Sequence, residues 1–254
     1  MTVIVGVLCT DGVVVGADSS ATFTAGELST IEQPITKLFV LNEAVLVAFT
    51  GQVGLNQRFL EVARRETKKG QFASSTALTN AKNLAQAAKA DFSSTQVEYN
   101  QYGALVAFGS EKAAHLVEFA LRDFQPELKN NEIWFASMGA GQRLADPFLA
   151  LLRRLLFKDM QPKRREGIFA VLWALQHAID LNTGGIKGPA TIGEMYFDQQ
   201  QNKPIARILN SDELAEHEAN IEAAERHFAK YRDMIAGIAA ADPQPSAPPS
   251  PPAS

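Results

Sequence analysis

Two apolar rhythms alternate along the chain. Met1 to Cys9 (MTVIVGVLC) is nearly continuous in apolar residues, as a strand covered on both faces would be. It breaks at Asp11-Gly12, a dipeptide suited to a hairpin turn, and Val13 to Ala17 reads as the returning strand. Residues 19 to 34 are rich in Ser, Thr and Gly and close on Pro34, which predicts a loop or a ragged hairpin. Lys37 to Leu41 and Ala44 to Thr50 form a second strand pair around Asn42-Glu43. The period then lengthens: Val53, Leu55, Phe59 and Val62, punctuated by Arg and Lys, predict a helix over Gln52 to Lys69 that Gly70 ends. Ser75 to Ala90 is a second, Ala-rich helix. Tyr102 to Phe108 and Ala113 to Phe119 pair around Gly109-Ser110, and Ile133 to Ser137 is a short strand leading into Gly139-Ala140-Gly141. Helices over Gln142 to Phe157 and Arg164 to Leu181 follow, then strands over Ala190 to Phe197 and Pro204 to Ile208.

Strand pairs, two helices, strand pairs, two helices and strands make an α+β pattern. Antiparallel runs of this kind stack as two sheets with a helical pair on each outer face, a four-layer αββα sandwich. Burial of both sheets explains strands as apolar as the first. Ser211 caps a last helix with Asp212 and Glu213 in its first turn, and Leu214, Ile221, Phe228, Tyr231 and Ile235 form its apolar stripe. From Asp242 the chain turns to Pro, Ser and Ala, a composition that builds no core. The expected organisation is a main domain over residues 1–210, a helix over 211–241 packed on or extending from it, and a disordered tail over 242–254.

Composition adds mostly exclusions. The chain has 254 residues, 46% hydrophobic and 20% charged, ordinary for a globular protein with a sizeable core. A net charge of −4 offers no basic surface for nucleic acid or an anionic membrane. No apolar run approaches the ~20 residues of a membrane span, and no secretory signal opens the chain, so a cytoplasmic location is expected. Cys9 is the only cysteine, which leaves no disulfide or cysteine cluster for zinc. The four histidines, His115, His177, His217 and His227, are scattered without metal-like spacing. Thr183-Gly184-Gly185-Ile186-Lys187-Gly188 lacks the spacing of a phosphate-binding loop.

Candidate chemistry begins at the terminus. Removal of Met1, whose neighbour is small, exposes a threonine with both a hydroxyl and a free α-amine. Such an amine titrates near ~7.7–8.0, so one residue supplies nucleophile and base. The segments TVIVGVLCTDGVVVGADSSAT, TKLFVLNEAVLVAFTG and DLNTGG resemble the β-type subunits of proteasomes and their bacterial relatives, over roughly residues 2 to 210. The resemblance implies the N-terminal-nucleophile hydrolase fold. It sets Thr2 as nucleophile, Asp18 on the second strand, Lys37 on the next, and Gly51 closing the fourth. Lys37 as an ammonium near Thr2 would favour the deprotonated hydroxyl and amine, Asp18 would keep Lys37 charged, and the Gly51 N–H would face the developing oxyanion. Taken alone, Asp18 also fits a strand-end turn, Lys37 an edge-strand charge and Gly51 a helix-entry glycine.

The family further implies that Asp180 and the hydroxyl of Thr183, where serine is usual, orient the terminal threonine. It usually carries Gly-Ser-Gly where this chain has Gly139-Ala140-Gly141, so one hydroxyl is missing, and Ser137 lies three residues away. Ala21 and Thr22 stand where the family pairs with an extended peptide as an added strand. Ala21, Ile35, Phe39, Phe49 and Val53 stand at the pocket for the residue before the cut bond. All are apolar, which favours a hydrophobic side chain there. The resemblance thus implies a threonine endopeptidase acting on unfolded polypeptides, needing no metal or organic cofactor. It implies homo-oligomeric rings or a spiral, to which an ATPase unfoldase would deliver folded proteins. Two other readings stay open: a non-catalytic structural ring subunit, and an amidase of a small acylated metabolite.

Overall fold

A computed structural model describes residues 1–25, 28–72, 74–181 and 185–237. The first sheet contains β1 (Ile4–Cys9), β2 (Gly12–Ala17), β10 (Phe135–Met138), β11 (Thr191–Asp198) and β12 (Lys203–Ile208), in the antiparallel order β10-β1-β2-β11-β12. The second contains β5 (Leu38–Leu41), β6 (Val45–Gly51), β7 (Tyr102–Ser110), β8 (Ala113–Phe119) and β9 (Pro126–Leu128), antiparallel and in sequence order. Helices α1 (Val53–Thr67) and α2 (Ala77–Ser93) cover the second sheet, and α3 (Gln142–Leu155) and α4 (Arg164–Asp180) cover the first. The two sheets face each other, so the expected four-layer sandwich is the observed fold.

Burial on both faces dictates the composition of β1 and β2. Ile4, Val13, Val15 and Ala17 pack between the sheets, while Val3, Val5, Val7 and Val14 pack against α3 and α4. Aromatic rings lock α1 and α2 to the second sheet: Phe59 of α1 lies 5.3 Å and Phe92 of α2 lies 5.9 Å from Tyr102 of β7, centroid to centroid. Each such buried ring contributes about 1.5–3 kcal/mol. The Tyr102 hydroxyl avoids an unpaired burial by donating to Asn56 Oδ1 at 3.2 Å.

Of the loop or ragged hairpin expected over residues 19 to 34, the ragged hairpin is observed: β3 (Ser20–Ala25) pairs with β4 (Leu28–Pro34), with Phe23 opposite Ile31 and a register shift between Phe23 and Thr24. Several local details differ from the sequence reading. The turn between β7 and β8 falls at Glu111-Lys112, both at positive φ (51° and 61°), and not at Gly109-Ser110. Gly109 is a close-approach glycine, since a Cβ there would lie 2.4 Å from Pro204. Asn210, not Ser211, caps α5 (Ser211–Ile235); its side chain accepts from the Glu213 N–H, and Glu213 accepts from the Asn210 N–H. Leu214, Ile221 and Ala224 of α5 pack beside α4, whereas Phe228, Tyr231 and Ile235 are exposed. The short β9 had no sequence signal, and Ile133 lies exposed ahead of β10. The Pro-rich tail lies outside the described residues.

At Gly16, in the middle of β2, an added Cβ would sit 2.6–2.7 Å from Ile192, Leu175 and Val171. Gly16→Ala therefore lowers the unfolding free energy by about 1–3 kcal/mol in urea titrations, the range for overpacking.

Candidate functional site

The site forms where the entry to β1 meets the ends of β2, β6 and β10. Asp18 directly follows β2, and Lys37 directly precedes β5, each placed by its strand at the same edge of the sandwich. The Lys37 ammonium donates to both Asp18 carboxylate oxygens, at 2.7 and 2.9 Å, and its third bond goes to the Met1 carbonyl at 3.2 Å. Asp18 is 1% exposed and Lys37 3%, so each charge depends on the other. Asp18 Oδ1 also accepts from the Val3 N–H at 2.9 Å, and the Asp18 N–H donates to the Val3 carbonyl at 3.1 Å. One carboxylate thus fixes the lysine and the backbone immediately after Thr2. Burial pulls the Lys37 ammonium below its ordinary pKa, and the attraction of Asp18 offsets part of that.

Glycines close the other side. Gly139, at φ +91°, passes so near that a Cβ would lie 2.4 Å from the Thr2 carbonyl oxygen, which in turn accepts from the Gly141 N–H at 3.1 Å. Gly51, at φ +101°, could not carry a Cβ either, because the Gln101 carbonyl oxygen would be 2.1 Å away. A cleft of about 670 Å³ opens beside Thr2, lined by Ala21, Thr22, Gly51, Val53 and Ala140 among others. Met1 and Ala140 also border a second cleft toward the start of α3, with Arg143 and Pro147 on its far wall.

Thr2, Asp18, Lys37 and Gly51 therefore come together at one edge, with Ala21, Thr22 and Val53 along the cleft. Ile35, Phe39 and Phe49 pack against the core instead; the Phe49 ring lies 6.4 Å from Phe39 and 6.3 Å from Tyr102. Asp180 ends α4 exposed, and its carboxylate has no partner among the described residues. Thr183 lies outside the described residues. Ser137, the nearest serine to Ala140, donates to Asp146 of α3.

Three contributors escaped the sequence reading. Gly139 reveals its role only through its approach to Thr2. Thr50 lines both clefts. Glu32 was one charge in a Ser/Thr-rich stretch, yet β4 brings it close enough for its charge to act on the terminal amine, while its carboxylate pairs with Lys187. That amine, on Met1, donates to Thr22 Oγ1 at 2.9 Å. Burial and then the Lys37 charge lower its pKa, while Asp18 and Glu32 act in the opposite sense. Cys9 is buried, and burial pushes its thiol pKa up, so it carries no reactivity here. Among the described residues, no group of three or more His, Cys, Asp or Glu could hold a metal ion, and no helix is long and apolar enough to cross a membrane.

A family model described as "Proteasome subunit" matches residues 2–187. Among solved structures, the chain is similar to the Anbu (Gly-1) mutant from Hyphomicrobium sp. strain MC1, with a TM-score of 0.65 and 12% identity over 91% of this chain and 97% of that one. It is also similar to Anbu (ancestral beta-subunit) from Yersinia bercovieri, with a TM-score of 0.61 and 13% identity over 90% of this chain and 97% of that one. A search of curated proteins returns no match. At these identities the structural likeness speaks for the fold alone.

The Asp18–Lys37 pair sets a stability test. Lys37→Ala leaves the Asp18 carboxylate buried without its cation and costs about 3–5 kcal/mol of unfolding free energy. Adding Asp18→Ala to that variant costs less than Asp18→Ala does alone, which a double-mutant cycle in urea measures.

Proposed function

The chain belongs to the proteasome subunit family, and from that premise we propose that it is a threonine peptidase whose nucleophile is the Thr2 hydroxyl, freed by removal of Met1. The observation that carries this reading is the buried Lys37 ammonium, held by Asp18 and reaching the backbone at the Met1–Thr2 junction. A positive charge there favours the unprotonated α-amine and the developing alkoxide of Thr2.

In the proposed reaction the Thr2 α-amine takes the hydroxyl proton as Oγ attacks the scissile carbonyl. The Gly51 N–H faces the developing oxyanion. The proton then passes to the departing amine, leaving an ester on Thr2 that water hydrolyses. Asp180 and Thr183 orient the amine in this scheme, with Ala21, Thr22 and Val53 receiving a hydrophobic residue of an unfolded polypeptide. No metal or organic cofactor takes part. We place the chain in a cytoplasmic ring or spiral of its own copies, which hides the sites from folded proteins and makes an ATPase unfoldase the natural source of substrate.

The strongest rival is a non-catalytic ring subunit. Ala140 in place of a serine favours it. The family's supporting hydroxyl is absent, so turnover should be slow.

A panel of fluorogenic peptides separates the two. The expected result is turnover that Thr2→Ala abolishes and Thr2→Ser retains in part. No Thr2-dependent turnover of any peptide leaves the structural subunit standing. The base must be unprotonated to act, so kcat/KM falls as pH drops through the pKa of the terminal amine. The Lys37 ammonium, which reaches the Met1–Thr2 junction, predicts a midpoint below the ordinary ~8.0 of an α-amine; a midpoint at or above ~8.0 contradicts the assignment of that amine as base.

A further inference from the structure

The second half of α5 carries an apolar seam that the body of the protein leaves uncovered. His217, Ile221, Ala224, Phe228, Tyr231 and Ile235 follow one another at alternating spacings of four and three, the pattern of a helix that packs along another helix. α4 covers the first part of this seam. The two helices run side by side in one direction, with Arg165 paired to Glu216 and Trp173 Nε1 donating to Glu225. Among the described residues, the hydrogen bonds of α5 to the body end at Glu225. Beyond it the helix overhangs, and Phe228, Tyr231, Met234 and Ile235 are 56–71% exposed.

Charge along α5 is split, and the split is self-complementary. Residues 211–225 hold six carboxylates and no lysine or arginine, whereas residues 226–235 hold Arg226, Lys230 and Arg232 against Asp233 alone. Two such helices set parallel would bring like charges together. Set antiparallel, the acidic half of each lies along the basic half of the other. A surface to receive the overhang exists on the same chain. A notch of about 350 Å³ lies between the acidic half of α5 and the junction of α3 with α4, with Leu156, Phe157 and Phe169 in its wall. Leu155 and Leu156, 45% and 46% exposed, extend its apolar surface outward. Arg165, the cation on its rim, is already paired with Glu216, and Glu166 adds a further carboxylate.

We propose that α5 is a self-recognition element: the overhanging seam of one copy docks in the notch between α3 and α5 of a second copy, whose own overhang docks in return. The contact is two-fold and closes on two copies, unlike the head-to-tail contacts that build a ring or a spiral. It stands whether or not Thr2 is a nucleophile. The antiparallel pair brings Lys230 and Arg232 of each copy to Glu218 and Glu222 of the other. Phe228, Tyr231 and Ile235 leave water for the apolar wall of the notch, which supplies the affinity, while the charges fix direction and partner.

Sedimentation velocity on the full chain tests this with two charge variants. The first carries Arg226→Glu, Lys230→Glu and Arg232→Glu; the second carries Glu218→Lys and Glu222→Lys. All five side chains are exposed, so urea unfolding should be unchanged. Each variant alone is expected at half the wild-type mass. An equimolar mixture should regain the wild-type mass, because every contact again joins opposite charges. Phe228→Ser/Tyr231→Ser should also sediment at half mass. Zero-length carbodiimide cross-linking of mixed isotopically light and heavy wild type should join Lys230 to Glu218 or Glu222 between copies. Along one helix these residues lie about 12–18 Å apart, too far for an internal link. A monomeric wild type overturns the proposal and leaves the seam to a different protein. It is overturned equally by a mass that both charge variants leave unchanged, by a mixture that stays at half mass, or by the absence of the Lys230 link between copies.

Discussion

The buried pair of Asp18 and Lys37 is the constraint on which the site depends. Two opposite charges that are almost wholly removed from water must stay paired and hydrogen-bonded, or each becomes a large penalty. Asp18 meets that demand by also accepting from the Val3 and Ser20 backbone, and Lys37 by reaching the Met1 carbonyl. A pair held this way fixes the end of β2, the start of β5 and the entry to β1 relative to one another. The entry to β1 is where Thr2 stands. An ion pair of this kind is weak evidence for stability and better evidence for position.

The sandwich gives that constraint its setting. Because β1 and β2 are covered by the second sheet on one face and by α3 and α4 on the other, their ends are the only parts that can meet solvent. Chemistry gathers there for that reason. Gly139 lets the end of β10 approach the Thr2 carbonyl and Gly51 lets the end of β6 pass the Gln101 carbonyl, both in backbone conformations that L side chains rarely adopt. The β3–β4 hairpin then extends from the same edge and brings Ala21 and Thr22 to the cleft.

Much of this was legible in the sequence, for physical reasons. The continuous apolar run of β1 and the turn at Asn42-Glu43, whose residues take φ of 52° and 57°, are local signals that no tertiary contact overrides. Asp18 and Lys37 stood out through the family resemblance; taken alone, a turn residue and an edge-strand charge explained them equally well. The illegible parts depend on contacts between residues far apart in sequence. Gly109 looked like a turn residue because only the fold brings Pro204 against it. Glu32 had no local mark, since its pairing with Lys187 arises only in the fold. Apolar character could not separate Val53, which lines the cleft, from Phe49, which the strand register sends into the core with Phe39 and Tyr102. In α5 the apolar stripe was real, but the body it packs on ends before Phe228.

The central claim is that Thr2, as the mature amino terminus, is the nucleophile. Covalent trapping tests it most directly: the native protein is treated with a peptide β-lactone, and the adduct is located by peptide mass spectrometry. The account predicts a single ester on the Thr2 hydroxyl of a chain that lacks Met1, and no adduct in Thr2→Ala. A chain that keeps Met1, or an adduct that persists in Thr2→Ala, would contradict it.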